Sequence, residues 1–154
     1  TIASNLRFGS EHADDAQLWE ALETAQAADF VAEKPGGLDE SVSQGGTNFS
    51  GGQRQRLCIA RALAAKPLVY VFDDSFSALD VATDARLREA LAETTGEATV
   101  IVVAQRVSTI READRILVLD DGKIVGRGTH DELLETNPTY QEIVESQLTA
   151  EGVN

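Results

Sequence analysis

The sequence predicts an α/β fold, with parallel strands in its middle and a β-hairpin followed by helices near its C-terminal end. Three observations carry that prediction. The first is a pair of continuous apolar runs, Leu68 to Phe72 (LVYVF) and Thr99 to Ala104 (TVIVVA), each expected as a parallel strand buried on both faces. The second is the helical stretch between them, Val81 to Thr95, which supplies the crossover that parallel strands need and so makes a βαβ unit. The third is the Asp-Gly turn signal of Asp120-Asp121-Gly122, set between Arg115 to Leu119 and Lys123 to Arg127 as in a hairpin.

The remaining elements follow in order. Thr1 to Gly9 (TIASNLRFG) reads as a short helix or turn. Asp14 to Phe30 is predicted as the first long helix, with Leu18, Leu22, Ala25 and Phe30 near one face. Asp14-Asp15 falls in its first turn, where the helix dipole favours acids, and Trp19 is expected to pack at its edge. Pro35-Gly36-Gly37 ends that helical stretch, and Leu38 to Asn48 (LDESVSQGGTN) is a polar, Gly-rich loop. Ser50 and Gln53 have the S-x-x-Q spacing of a capping box, so Ser50 caps a helix from about Gly51 to Ala65, which Lys66-Pro67 breaks. In the crossover helix Leu87 and Leu91 lie i, i+4 on one buried side, and Gly96 ends it. Val107 to Ala113 reads as a short helix. Thr129 and Glu132 form a second box, starting a helix over His130 to Glu135; Asn137-Pro138 breaks it, and a last helix covers Thr139 to Leu148.

Composition narrows the function classes. A chain of 154 residues is enough for one domain with a moderate core. The absence of Met and the start at Thr1 predict a piece of something longer. A net charge of −13, spread along the chain rather than in blocks, argues against a nucleic-acid partner and fits a soluble, self-repelling domain. The single Cys58 cannot form an internal disulfide, and its place in an apolar stripe predicts a small core residue in a reducing compartment. No apolar run approaches the roughly 18 residues that span a bilayer, and no signal peptide is visible, so any membrane part is expected outside this stretch. His12 lies in a polar stretch and His130 in a first helical turn; with no second His or Cys near either, no His or Cys metal site is expected.

Two features point to chemistry. Gly51 and Gly52 leave the N–H groups of a helix's first turn uncovered by side chains, an arrangement that attracts anions and phosphate above all. A capped helix with Gly in its first turn is the plainer alternative. Asp73-Asp74 stands at the carboxyl end of the LVYVF strand, where open α/β sheets bind ligands and where such a pair holds Mg²⁺ on a phosphate and positions a water. Two acids after an apolar run are also ordinary loop solvation. A capped anion-binding helix that feeds such a strand and continues into Ser77-Ala78-Leu79-Asp80 is harder to obtain by chance.

With these residues in hand, the chain resembles a known family. FSGGQRQR is similar to the signature motif of ATP-binding-cassette (ABC) ATPases, VYVFDD to their Walker B strand and SALD to their D-loop, in the family's order and spacing. The resemblance covers nearly the whole chain. It implies a partial P-loop NTPase core of the ABC type in one incomplete domain. Residues 1–49 would form a helical subdomain and loop; residues 50–154 would carry the signature helix, Walker B, D-loop, switch region, hairpin and final helices. It further implies ATP and Mg²⁺ as cofactors. No G-x-x-x-x-G-K-[ST] and no Q-loop occurs; both precede the signature in the family, so the sequence is expected to start after them and the isolated chain to be inactive.

The resemblance also assigns roles by position. Asp73 matches the carboxylate that holds Mg²⁺, and Asp74 the catalytic base, where active members carry Glu. Asp is one methylene shorter, and withdrawing a carboxylate by about 1 Å costs on the order of 100-fold in rate. Gln105 stands at the switch position, where active members carry His; Gln is neutral at every pH. The signature is near consensus, with Phe49 in place of the usual Leu. Since two such domains sandwich two ATPs, Ser50, Gly51, Gly52 and Gln53 would contact an ATP held by a partner, and Asp80 would link the two sites. The pattern resembles the degenerate half of a heterodimeric ABC exporter, on the cytoplasmic side of the cell membrane. Val42 to Gly46, with Gln44 where many members have Glu, falls where exporters meet the coupling helices of the transmembrane domain. A soluble ABC-type ATPase and a non-hydrolysing, nucleotide-dependent interaction module are the alternatives. Against the DNA-maintenance members stands the lack of a coiled-coil heptad run.

Overall fold

A computed structural model describes residues 1–151, with side chains to residue 148. The chain folds as two compact units, Thr1–Val103 and the residues from Ala104 onward.

In the first unit, helix α1 (Ile2–Leu6) starts in a capping box between Thr1 and Ser4 and continues as a 3-10 turn over Arg7–Gly9. The predicted long helix is two helices, α2 (Asp15–Thr24) and α3 (Ala28–Ala32). The cause is backbone geometry. Gln26 adopts φ +56°, the Ala27 N–H donates to the Leu22 carbonyl and the Gln26 N–H to the Glu23 carbonyl. Those two bonds form a Schellman ending, with Gln where Gly is usual. Asp14 is the N-cap rather than a first-turn residue, in a box with Gln17. Leu18, Leu22 and Ala25 are buried as expected, and Trp19 packs partly buried at the core's edge.

Helix α4 (Gly51–Ala64) buries Ile59, Ala60, Leu63 and Ala64. It ends at Lys66 in the left-handed region (φ +45°), one residue before Pro67, which cannot continue a helix. Strand β1 (Val69–Asp73), helix α5 (Val81–Thr94) and strand β2 (Thr99–Val103) make the expected βαβ unit, with the strands parallel and in register from Val69↔Thr99 to Asp73↔Val103. The strands are not buried on both faces. Tyr70 and Phe72 point into the core, their rings stacked 6.0 Å apart, while Val69 and Val71 on the other face are exposed. Ile101 and Val103 of β2 are exposed too. Among the described residues this two-stranded sheet carries core packing on one face only, so β1 alternates as a half-buried strand does.

Cys58 is not a core residue. It lies exposed on α4, one position off the buried Ile59–Ala60 stripe, at a cleft of about 420 Å³ lined also by Leu6, Val42, Gln44, Phe49 and Arg61.

In the second unit, α6 (Val107–Ile110) is shorter than expected, because the Ala113 N–H already closes a turn on Ile110. Strands β3 (Ile116–Asp120) and β4 (Lys123–Gly128) pair antiparallel with an irregularity at Val118/Leu119. Their two-residue turn has positive φ at both Asp121 (+46°) and Gly122 (+71°), the requirement of a type I′ hairpin. Thr129 and Glu132 form the expected box on α7 (His130–Thr136), and α8 (Pro138–Glu151) follows. Asn137 joins the pieces: its Nδ2 donates to the Val125 carbonyl (2.9 Å) and its Oδ1 accepts from the Tyr140 N–H (2.8 Å). His130, placed in the sequence as an ordinary first-turn residue, is buried with its Nδ1 2.8 Å from the Tyr140 hydroxyl.

Removing that hydroxyl leaves a buried ring nitrogen without its partner. Tyr140→Phe is therefore expected to destabilise the second unit by about 1–2 kcal/mol. Amide hydrogen exchange in α7 measures this, and unchanged protection there contradicts it.

Candidate functional site

The site is built on the first turn of α4. Ser50 Oγ accepts from the Gln53 N–H at 3.2 Å, and Gln53 Oε1 accepts from the Ser50 N–H at 3.0 Å. The box leaves the N–H groups of Gly51 and Gly52 outside it. Before the turn, Phe49 is buried edge-on to Phe30 with centroids 6.4 Å apart, and Lys34 Nζ lies 5.2 Å from its ring centroid. Asn48 ties the preceding loop, accepting from the Ser43 N–H and donating to the Ser41 carbonyl. Within that loop Gly45 and Gly46 both take positive φ, and Gln44 is exposed.

Gly52 has a packing role that the sequence did not disclose. A Cβ on Gly52 would stand 3.0 Å from the Ala78 carbonyl oxygen, whereas one on Gly51 would meet the Ala78 Cβ at an ordinary 3.7 Å. The turn after β1 thus lies directly against the helix tip. Gln55, not singled out in the sequence, fastens it there. Its Nε2 donates to the Asp74 carbonyl (3.2 Å) and Ser77 Oγ (3.1 Å), and its Oε1 accepts from the Ala78 N–H (2.9 Å). Its only sequence signal is position: i+4 from Gly51, it lies on the helix face that the glycines keep clear.

Asp73 ends β1 opposite Val103 and is exposed. Asp74 follows in the left-handed region (φ +48°), its N–H donating to the Val103 carbonyl at 3.0 Å. Asp80 closes the turn as N-cap of α5, its Oδ1 accepting from the Thr83 N–H at 3.0 Å. Hydrogen bonding from Thr83, side chain first and then backbone, holds the Asp80 carboxyl below the ordinary carboxylate range. Ser50 to Gln53, Asp73, Asp74 and Asp80 are thus gathered on one helix tip and one turn. Gln105 belongs to the second unit. Its side chain is exposed and its carbonyl accepts from Gln147 Nε2 at 2.6 Å, while Gln147 Oε1 accepts from the Val107 N–H.

Among the described residues no three His, Cys, Asp or Glu side chains cluster as a metal site. Adjacent exposed carboxylates at a strand end nevertheless fit Mg²⁺, which keeps several waters and takes one or two carboxylates beside phosphate oxygens. Bare N–H groups at a fixed helix tip fit a phosphate.

The family model described as ABC transporter matches residues 1–77, from α1 through α4, β1 and the turn to Ser77. The chain belongs to the ABC transporter family. An uncharacterized ABC transporter ATP-binding protein of Mycobacterium bovis is 53% identical over 150 residues, covering 96% of this chain and 25% of that protein. The ATP-dependent lipid A-core flippase of Saccharophagus degradans is 41% identical, covering 97% and 25%. Among solved structures, that of a bacterial Atm1-family ABC exporter with ATP bound superposes with a TM-score of 0.91 at 37% identity, covering 96% of this chain and 26% of that one. The chain therefore spans about a quarter of the length of these relatives. In this ABC ATP-binding chain the α/β order read from the sequence holds, from helix α4 to parallel strands to hairpin.

The glycine contacts predict an asymmetry. Gly52→Ala presses a methyl group on the Ala78 carbonyl, in a turn whose Ala78 N–H is held by Gln55, and is expected to lower stability by about 1–2 kcal/mol. Gly51→Ala is expected to stay within about 0.5 kcal/mol of the parent. Urea unfolding followed by Trp19 fluorescence compares them, and equal losses refute the close-approach role.

Asp80 gives a pH dependence. Because its carboxyl titrates lower when folded, its cap stabilises fully above the ordinary carboxylate range and is lost as pH falls through the lowered value. Acidification is expected to fray the first turn of α5, seen as movement of the Thr83 amide resonance. Asp80→Asn should keep the cap and abolish that movement.

Proposed function

We propose that this chain is the ATP-binding-cassette part of a membrane exporter, which couples ATP hydrolysis to substrate transport. It would act on the cytoplasmic side of the membrane. The observation that carries the reading is the boxed, glycine-bared tip of α4, held against the turn of Asp74 and Ala78 by Gln55. The family membership and the exporter-like fold support it.

In this reading Ser50, Gly51, Gly52 and Gln53 donate hydrogen bonds to an ATP gripped by a second ABC subunit. The Ser50–Gln53 box holds the tip rigid, so its free N–H groups need no reorganisation to meet phosphate oxygens. Asp73 would hold Mg²⁺, which would supply charge neutralisation on the phosphates. Asp74 occupies the base position, where its shortened reach and the neutral Gln105 at the switch position weaken this chain's own site. Asp80 links the two sites across the interface. Such a chain is the degenerate half of a heterodimer: a poor site of its own and an intact signature for its partner. The loop over residues 42–46 faces the coupling helices of the transmembrane domain.

The asymmetry is tested in the full-length transporter assembled with its partner. Ser50→Phe is expected to lower ATP turnover on the order of 100-fold, and Asp74→Ala by less than about threefold. Steady-state ATPase assays at saturating ATP measure both. Equal losses would contradict the division of labour between the two subunits.

A further inference from the structure

We infer that Gln55 is a positioning residue that makes the signature tip and the Asp74 turn one rigid body, so that neither can shift without the other. The inference rests on the nucleotide reading above and assigns a role in turnover to a residue which that reading uses only as a structural tie.

The geometry is specific. One side-chain amide from the second turn of α4 satisfies three groups of a single turn: the Asp74 carbonyl, the Ser77 hydroxyl and the Ala78 N–H. The Asp74 carbonyl is the hub. It accepts from Gln55 Nε2, from Ser77 Oγ at 3.0 Å and from the Ser77 N–H at 3.5 Å. Asp74 itself sits at φ +48°, a conformation that an L residue holds only when its surroundings fix it. Its amide is fixed by Val103 on one side and its carbonyl by Gln55 on the other. The Ala78 amide is fixed by the same glutamine, and the Ala78 carbonyl rests where Gly52 leaves room for it. The aim of the Asp74 carboxylate and the position of the helix tip therefore share one anchor.

Three amide functions divide the test. Gln55→Leu removes both donors and the acceptor. Gln55→Glu keeps an acceptor for the Ala78 N–H but brings a carboxylate against the Asp74 carbonyl in place of a donor. Hydrogen exchange at the Ala78 amide is expected to accelerate about tenfold in Gln55→Leu and to stay near the parent in Gln55→Glu. In the assembled full-length transporter, kcat for ATP is expected to fall about tenfold or more in both variants while KM stays within about twofold. A residue that only stabilised the fold would instead lower the amount of active protein and its melting temperature, leaving the kcat of the surviving fraction alone. Titration of active sites with trapped nucleotide separates these outcomes. If Gln55→Leu does not fold, Gln55→Glu carries the test. A parent that hydrolyses no ATP sinks the nucleotide reading and this inference with it. A hydrolysing parent whose Gln55 variants match it in kcat per active site, or whose Ala78 exchange does not change in Gln55→Leu, sinks this inference alone.

Discussion

The backbone of the turn after β1 lies against the first turn of α4, and the placement of β1 and α5 beside that helix tip depends on the contact. A helix tip normally keeps other backbone away, because every Cβ on its first turn occupies space. Here the residue facing the Ala78 carbonyl is Gly52, and the approach is closer than a methyl group allows. Backbone polar groups brought together this closely need partners, and Gln55 supplies them from the next turn of the same helix. Once the turn is anchored, β1 and α5 are positioned as well, since the turn begins at the last residue of β1 and ends at the N-cap of α5. The buried rings of Phe72 and Phe76, with Leu79, then close the core beneath it.

The same constraint clarifies what the glycines do. A bare helix tip reads from sequence as an anion site, with a capped helix carrying incidental glycines as the plainer alternative. The structure adds a third role, which is compatible with the first. Gly52 makes room for protein backbone on one side of the tip, while the capping box leaves the N–H groups of both glycines uncommitted along the helix axis. In the proposed reading, phosphate recognition would use the N–H groups of the tip while close packing uses the missing Cβ of Gly52, so the two roles do not compete.

Much of this was legible in the sequence, and each failure has a physical cause. Capping boxes at Ser50 and Thr129, the parallel pair and the Asp121-Gly122 hairpin all came from local signals that survive in the fold. Among the described residues four non-glycine residues adopt positive φ: Gln26, Lys66, Asp74 and Asp121. The Asp121 turn was readable because Gly122 follows it, whereas at Lys66 the sequence signalled only a helix break before Pro67. Gln26 has no such neighbour, so periodicity ran straight through the Schellman ending that divides α2 from α3. Burial failed for a different reason. An apolar run shows that a strand suits a dry environment, but not which of its faces the described residues cover, and Val69, Val71 and Ile101 remain exposed. Gln55 escaped notice because its three partners are 19 to 23 residues away in sequence, a separation that no short motif encodes.

Asp74 is where local conformation and chemistry meet. Among non-glycine residues the left-handed region favours Asp and Asn, whose short polar side chains tolerate it better than longer ones. At φ +48° an aspartate therefore suits the turn, and the strain a glutamate would add there is reduced. The same shortening withdraws the carboxylate from whatever lies beyond the strand end. In the proposed reading, a chain whose own site need not turn over quickly would keep the conformationally easier residue, provided the turn stays anchored beside the helix tip. A shortened side chain at Asp74 and strict geometry at Gly52 and Gln55 are compatible demands on one short segment, because the first concerns the reach of a side chain and the second the position of a backbone.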